Sequence, residues 1–141
     1  MTWWRGGAGI SASLTAVLAA VALAAAAISG ADYILLPPGD ARLLSDVEAA
    51  IPLDDWGIYI LAAVSIATAG AVLDRWWLTV LGHAALAGVY GAFAIGVFLT
   101  VLDAGTLFGY RPGAHRFCLA TLHAVLAASA WRRWDDARTP T

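Results

Sequence analysis

Along this 141-residue chain, apolar runs of 18 or more residues alternate with short polar breaks. Four such runs stand out, at about 8–30, 56–73, 77–102 and 114–131. A bilayer needs roughly 20 residues of helix to cross it, so each run is of spanning length or close to it. None shows the every-second-residue alternation of a barrel strand, and in lipid only helices and closed barrels satisfy their backbone. The expectation is an all-α polytopic membrane protein. Its single domain, residues 1–141, holds four transmembrane helices in an antiparallel bundle. The break "DRWW" between the second and third runs is so short that those helices must be antiparallel neighbours. The fourth run opens with His115 and Arg116, whose side chains are expected to snorkel toward the head groups.

The longest polar interval, 31–55, is read as an outer loop. Pro37–Pro38 cannot continue a helix. After them, "DARLLSDVEAAI" sets Leu43, Leu44, Val47 and Ile51 on one helical face, with Asp46 and Glu48 off it. Asp40 is the candidate N-cap. The pattern predicts a short amphipathic helix on the outer surface or over the bundle, a solvated lid or a partner-docking element. "DAGTLFGYRPGAH" reads as a turn punctuated by glycine and proline, and "DDARTPT" as a frayed end.

Composition agrees with a lipid environment. Hydrophobic residues make up 61% of the chain and charged ones 13%, with mean hydropathy +0.76. A soluble domain carries about 25% charged residues. Trp3, Trp4, Trp56, Trp76, Trp77, Trp131 and Trp134 all fall at predicted span ends, as in an aromatic belt. With the N-terminus inside, Arg5, Arg75, Arg132, Arg133 and Arg138 are cytoplasmic and only Arg42, Arg111 and Arg116 are not, which favours both termini inside the cytoplasmic membrane. The first run, about 22 residues, exceeds the 7–15-residue core of a signal peptide and is read as an uncleaved anchor. Basic residues are all arginine, which with the abundant alanine and glycine accords with a GC-rich coding genome. The net charge of −2 gives no reason to expect nucleic-acid binding. The lone Cys118 cannot form an internal disulfide, and no Cys/His cluster has zinc spacing.

The third run, "VLGHAALAGVYGAFAIGVFLT" at 80–100, holds Ala84, Gly88, Ala92 and Gly96 at four-residue intervals. Such a ridge lets helix backbones approach closely, within one chain or between subunits. Leu86, Phe93 and Val97 lie roughly opposite and are expected to face lipid. His83, Ala87, Tyr90 and Ala94 form a third, protein-facing strip.

Candidate chemistry is sparse. Intramembrane charge usually marks a proton or substrate path, and no Asp, Glu or Arg lies mid-span. That argues against a proton-coupled drug exporter. Nucleophile elbows and phosphate loops are missing too, so no enzyme is expected. His83 lies seven residues after Trp76 and His123 eight before Trp131, so antiparallel helices set both at matched depth. They are predicted to pair by hydrogen bond or through one water; the other roles open to them are metal or bis-histidine haem ligation and gating.

The stretches "LDRWWLTVLGHAALAGVYGAFAIG" and "GYRPGAHRFCLATLHAVLAASAWRRW" resemble small four-span membrane proteins of actinobacterial phages, often encoded near lysis genes and holin-like. The resemblance covers about 56–134. It implies a protein that accumulates in the cytoplasmic membrane, forms homo-oligomers there and permeabilises it during host lysis, with no catalytic or cofactor site. Two further classes stay open: a haem-binding membrane subunit, and an accessory or exclusion protein with a membrane-protein partner.

Overall fold

The computed structural model describes residues 12–35, 45–105 and 110–138. Five helices make up nearly all of this, with no strand among the described residues. They are α1 (Ala12–Leu35), α2 (Asp46–Ala49), α3 (Leu53–Val72), α4 (Trp76–Asp103) and α5 (Tyr110–Arg138). The helices α1, α3 and α4 are long and apolar enough to cross a membrane, consistent with a membrane protein. The longest helix, α5, does not reach that apolarity.

The helices outrun the apolar runs that predicted them. Gly30 does not stop α1, which continues to Leu35 and so carries Tyr33 inward. The "RPGAH" stretch is helix, not turn, because proline is tolerated in a first turn where no intrahelical N–H bond is needed. "WRRWDDAR" likewise extends α5 to Arg138. The α3 helix starts straight after Pro52, with Asp54 and Asp55 against its positive end. Trp3, Trp4, Arg5, Asp40, Arg42, Leu43 and Leu44 lie outside the described residues.

Each long helix is antiparallel to its neighbour in sequence. At the α3–α4 turn Asp74 takes the left-handed conformation (φ 53°) and the Arg75 N–H donates to the Gly70 carbonyl at 2.8 Å, a Schellman-type stop. Along α4 and α5, Trp76 meets Trp131, His83 meets His123, and Gly113 lies against Val97 and Phe98. The α4–α5 contact is the most extensive in the fold.

Small residues line the inner faces. On α1 they are Ala22, Ala26 and Gly30, and on α3 Gly57, Ala63, Ala67 and Gly70. A Cβ on Gly57 would fall 2.6 Å from the Gly30 carbonyl oxygen, and one on Gly82 would fall 2.5 Å from the Ala67 nitrogen. These contacts bring α1 to α3 and α3 to α4, as close packing in lipid requires. Many bulky residues point outward: Val17, Val21, Ile28, Leu81, Ile95, Leu99, Phe117 and Val125 are all exposed.

One expectation for α4 reverses. Leu86, Phe93 and Val97 are buried rather than lipid-facing, and with Tyr90 they form a seam of alternating three- and four-residue steps. Of the ridge, only Gly96 packs tightly, against Ser45 and Val47. Ala84 and Gly88 are exposed, and a side chain at Gly88 would meet nothing within 4 Å. Within the chain, Gly82 meets the α3 backbone and Gly96 meets the Ser45 and Val47 side chains.

Candidate functional site

Two polar clusters lie within this apolar framework. The first closes the end where α1 stops and α5 starts. "SDVE" folds as a capping box: the Glu48 N–H donates to Ser45 Oγ (3.4 Å) and the Ser45 N–H donates back to Glu48 Oε2 (3.1 Å). Glu48 is therefore held by its own helix with its carboxylate turned in, and it is fully buried. From α5, Arg116 forks onto it, Nη1 to Oε2 at 2.5 Å and Nη2 to Oε1 at 2.6 Å. From α1, the Tyr33 hydroxyl donates to Oε1, and Ser45 Oγ donates to Oε2 at 3.0 Å. From α3, the Trp56 indole N–H donates to the Glu48 carbonyl at 3.1 Å. The α4 contribution is Phe93, under the Arg116 guanidinium at 5.2 Å and edge-on to Trp56 at 4.7 Å.

All five described helices thus contribute to the surroundings of Glu48, three of them at its carboxylate. Burial pushes the Glu48 carboxyl up, but the Arg116 guanidinium, the Tyr33 hydroxyl and the Ser45 N–H more than offset this and leave it below its ordinary value. A bidentate arginine pair with every carboxylate lone pair engaged is the geometry in which buried charge is tolerated. The cluster corrects two expectations. Arg116 does not snorkel free, and Glu48 is not on a solvated face. It is structural chemistry, with no reactive group left open.

The second cluster is the histidine pair. His83 on α4 and His123 on α5 place their Nδ1 atoms 2.9 Å apart, with ring centroids at 5.1 Å. Both are buried, at 2% and 0% exposure, so depth counted from Trp76 and Trp131 predicted a real contact. The register holds because those tryptophans touch too, at 5.2 Å, with Trp134 stacked on Trp76 at 4.0 Å. The Tyr90 ring lies parallel to His123 at 5.9 Å. The Tyr90 hydroxyl has Ser29 as a polar neighbour, outside hydrogen-bond geometry. His123 Nε2 is buried without a partner.

These histidines do not fit a shared haem. An iron would have to be bonded by both rings with the macrocycle between them, whereas the facing nitrogens are one hydrogen bond apart. No group of three or more metal-ligating side chains occurs among the described residues.

Beside the pair lies a half-open cleft of about 510 Å³, between the N-terminal half of α1 and the facing ends of α3, α4 and α5. Its walls include Ala16, Ala19, Leu23, Ala67 and Leu126, its rim Asp74, Arg133 and Trp134, and His83 contributes to its inner lining.

Sequence reasoning missed Glu48, Arg116 and Tyr33 as a unit. The S-x-x-E signature was the available signal for Ser45 and Glu48; nothing local pointed to Arg116, 68 residues away. No family model matches the chain, and neither the curated proteins nor the solved structures include one significantly similar to it.

Proposed function

We propose that this chain is a four-span protein of the cytoplasmic membrane, with both termini cytoplasmic, that self-associates and permeabilises the membrane in the manner of a holin. The observation that carries the reading is the face of α4 that the chain leaves uncovered. Ala84 and Gly88 point outward there, and open space surrounds Gly88. A small-residue notch facing lipid is a surface on which a helix of a second copy can seat closely.

The fourth span is α5. Its polar residues lower its average apolarity, but Arg116 turns to Glu48 and His123 to His83, while Phe117, Val125 and Trp131 face outward. Lipid would meet mostly the apolar side. Reporter fusions after Thr141 and within 45–50 are expected on opposite sides of the membrane; fusions reporting the same side would overturn the four-span topology.

Induced expression in a bacterial host is expected to collapse the membrane potential after a delay, and a co-expressed cell-wall hydrolase should then lyse the culture. Gly88→Leu should abolish crosslinked oligomers and the collapse together, while the purified monomer keeps wild-type thermal stability, because no neighbour in the chain is displaced. Harmless accumulation of the wild-type chain to high level would sink the holin reading. Oligomers that survive Gly88→Leu would remove the notch as the interface.

A further inference from the structure

The cleft and the histidine pair together imply a property that membrane permeabilisation does not require. His83 lines the cleft, and its Nδ1 is engaged by His123 at 2.9 Å. That leaves His83 Nε2 as the ring nitrogen available to anything entering from the cleft. His123 is fully enclosed and has its Nε2 unpartnered, and of the two rings it is His83 that lines the cleft.

We propose that His83 and His123 form a proton-binding pair, loaded from the cleft on one side of the protein only. In the neutral pair His83 holds its proton on Nδ1 and donates it to the His123 Nδ1 lone pair. A hydronium ion in the cleft transfers a proton to the Nε2 lone pair of His83: one N–H bond forms, one O–H bond breaks, and water leaves. The Nδ1 proton then moves across the 2.9 Å contact to His123. His83 is neutral again with its proton on Nε2, and His123 is the imidazolium. The parallel face of Tyr90 at 5.9 Å gives that cation a π-surface at the distance where such contacts are favourable. The pair takes one proton, since a second would set two cations in contact.

The surroundings are otherwise nearly free of charge. From α4, Tyr90 and Thr79 face the pair or the cleft; from α1, Ser29 and Thr15; from α3, only Asp74 at the rim; from α5, Arg133 at the rim and Arg116, whose field reaches Tyr90. Asp74 and Arg133 give the cleft lining one charge of each sign.

The test uses the full chain with ¹⁵N-labelled histidine in lipid nanodiscs, followed by NMR between about pH 8 and pH 4. His83→Asn and His123→Asn identify the signals. The ring nitrogens of both residues should shift together in one step with uptake of one proton. In His83→Asn, the His123 step should be lost or greatly slowed. Ala16→Trp, on an exposed position of the cleft wall, should slow protonation of the pair after a pH jump while helix content and the 2.9 Å contact persist. Independent titration of the two rings, or an undiminished rate in Ala16→Trp, would overturn the proposal.

Discussion

Arg116→Ala is expected to destabilise the protein by about 3–5 kcal/mol, because it leaves the Glu48 carboxylate buried without its countercharge. Thermal unfolding in detergent is the measurement. Replacing both partners, as Glu48→Met with Arg116→Met, should cost much less than Arg116→Ala alone, since no orphaned charge remains. The pair also has a pH signature. Glu48 is held below its ordinary value of 4.5, so its stabilising contribution is fully present above about that pH. It is lost as the pH falls through the lower value of the folded state. The wild-type chain should therefore lose stability on acidification below pH 4.5, and the double methionine variant should not lose this share. A change below about 0.5 kcal/mol in Arg116→Ala would mean that the ion pair contributes nothing to stability.

Gly82→Leu should have the second largest effect. Even the first added carbon would sit 2.5 Å from the Ala67 nitrogen and 2.6 Å from the Ala63 carbonyl oxygen. Both are helix backbone and cannot rotate aside, so α3 and α4 must separate. Overpacking of this kind costs about 1–3 kcal/mol even where side chains can adjust, and this site belongs at the upper end or beyond. Parting the helices should also pull His83 from His123, readable as loss of coupling between their ring nitrogens. Equal stability of Gly82→Leu and Gly88→Leu would contradict the assignment of one glycine to the interior and the other to the surface.

The sequence made the helices visible because apolar length and broken runs report directly on backbone that must bond to itself in lipid. It made the histidine pair visible for a related reason. Tryptophans mark depth, depth is a single coordinate, and two antiparallel helices of known depth have little freedom left. Rotation about each helix axis was not legible. The regular four-residue spacing of Ala84, Gly88, Ala92 and Gly96 suggested a contact face, but a small residue is equally acceptable to lipid and to a neighbour. The glycines that touch another helix's backbone within the chain, Gly57, Gly70 and Gly82, are fixed by which backbone lies opposite, and one helix read alone does not contain that information. Glu48 was misread for the same reason. An acid beside a membrane is ordinarily solvated, and only the capping box turning it inward and an arginine at the start of α5 make its burial tolerable.

The position of Arg116 has a consequence for how the protein is made. Ribosomes deliver α1, α2, α3 and α4 before any residue of α5 emerges, so until then Glu48 lacks its Arg116 partner. Until then its carboxylate is better served by water, and the short helix that carries it has reason to stay in the aqueous phase. Arrival of the last helix brings the countercharge, and Ser45 and Val47 can then settle against Gly96. The ion pair is thus expected to be among the last contacts to form. In a nascent chain stalled before α5, Ser45 and Glu48 should be open to water, whereas in the finished chain both are buried.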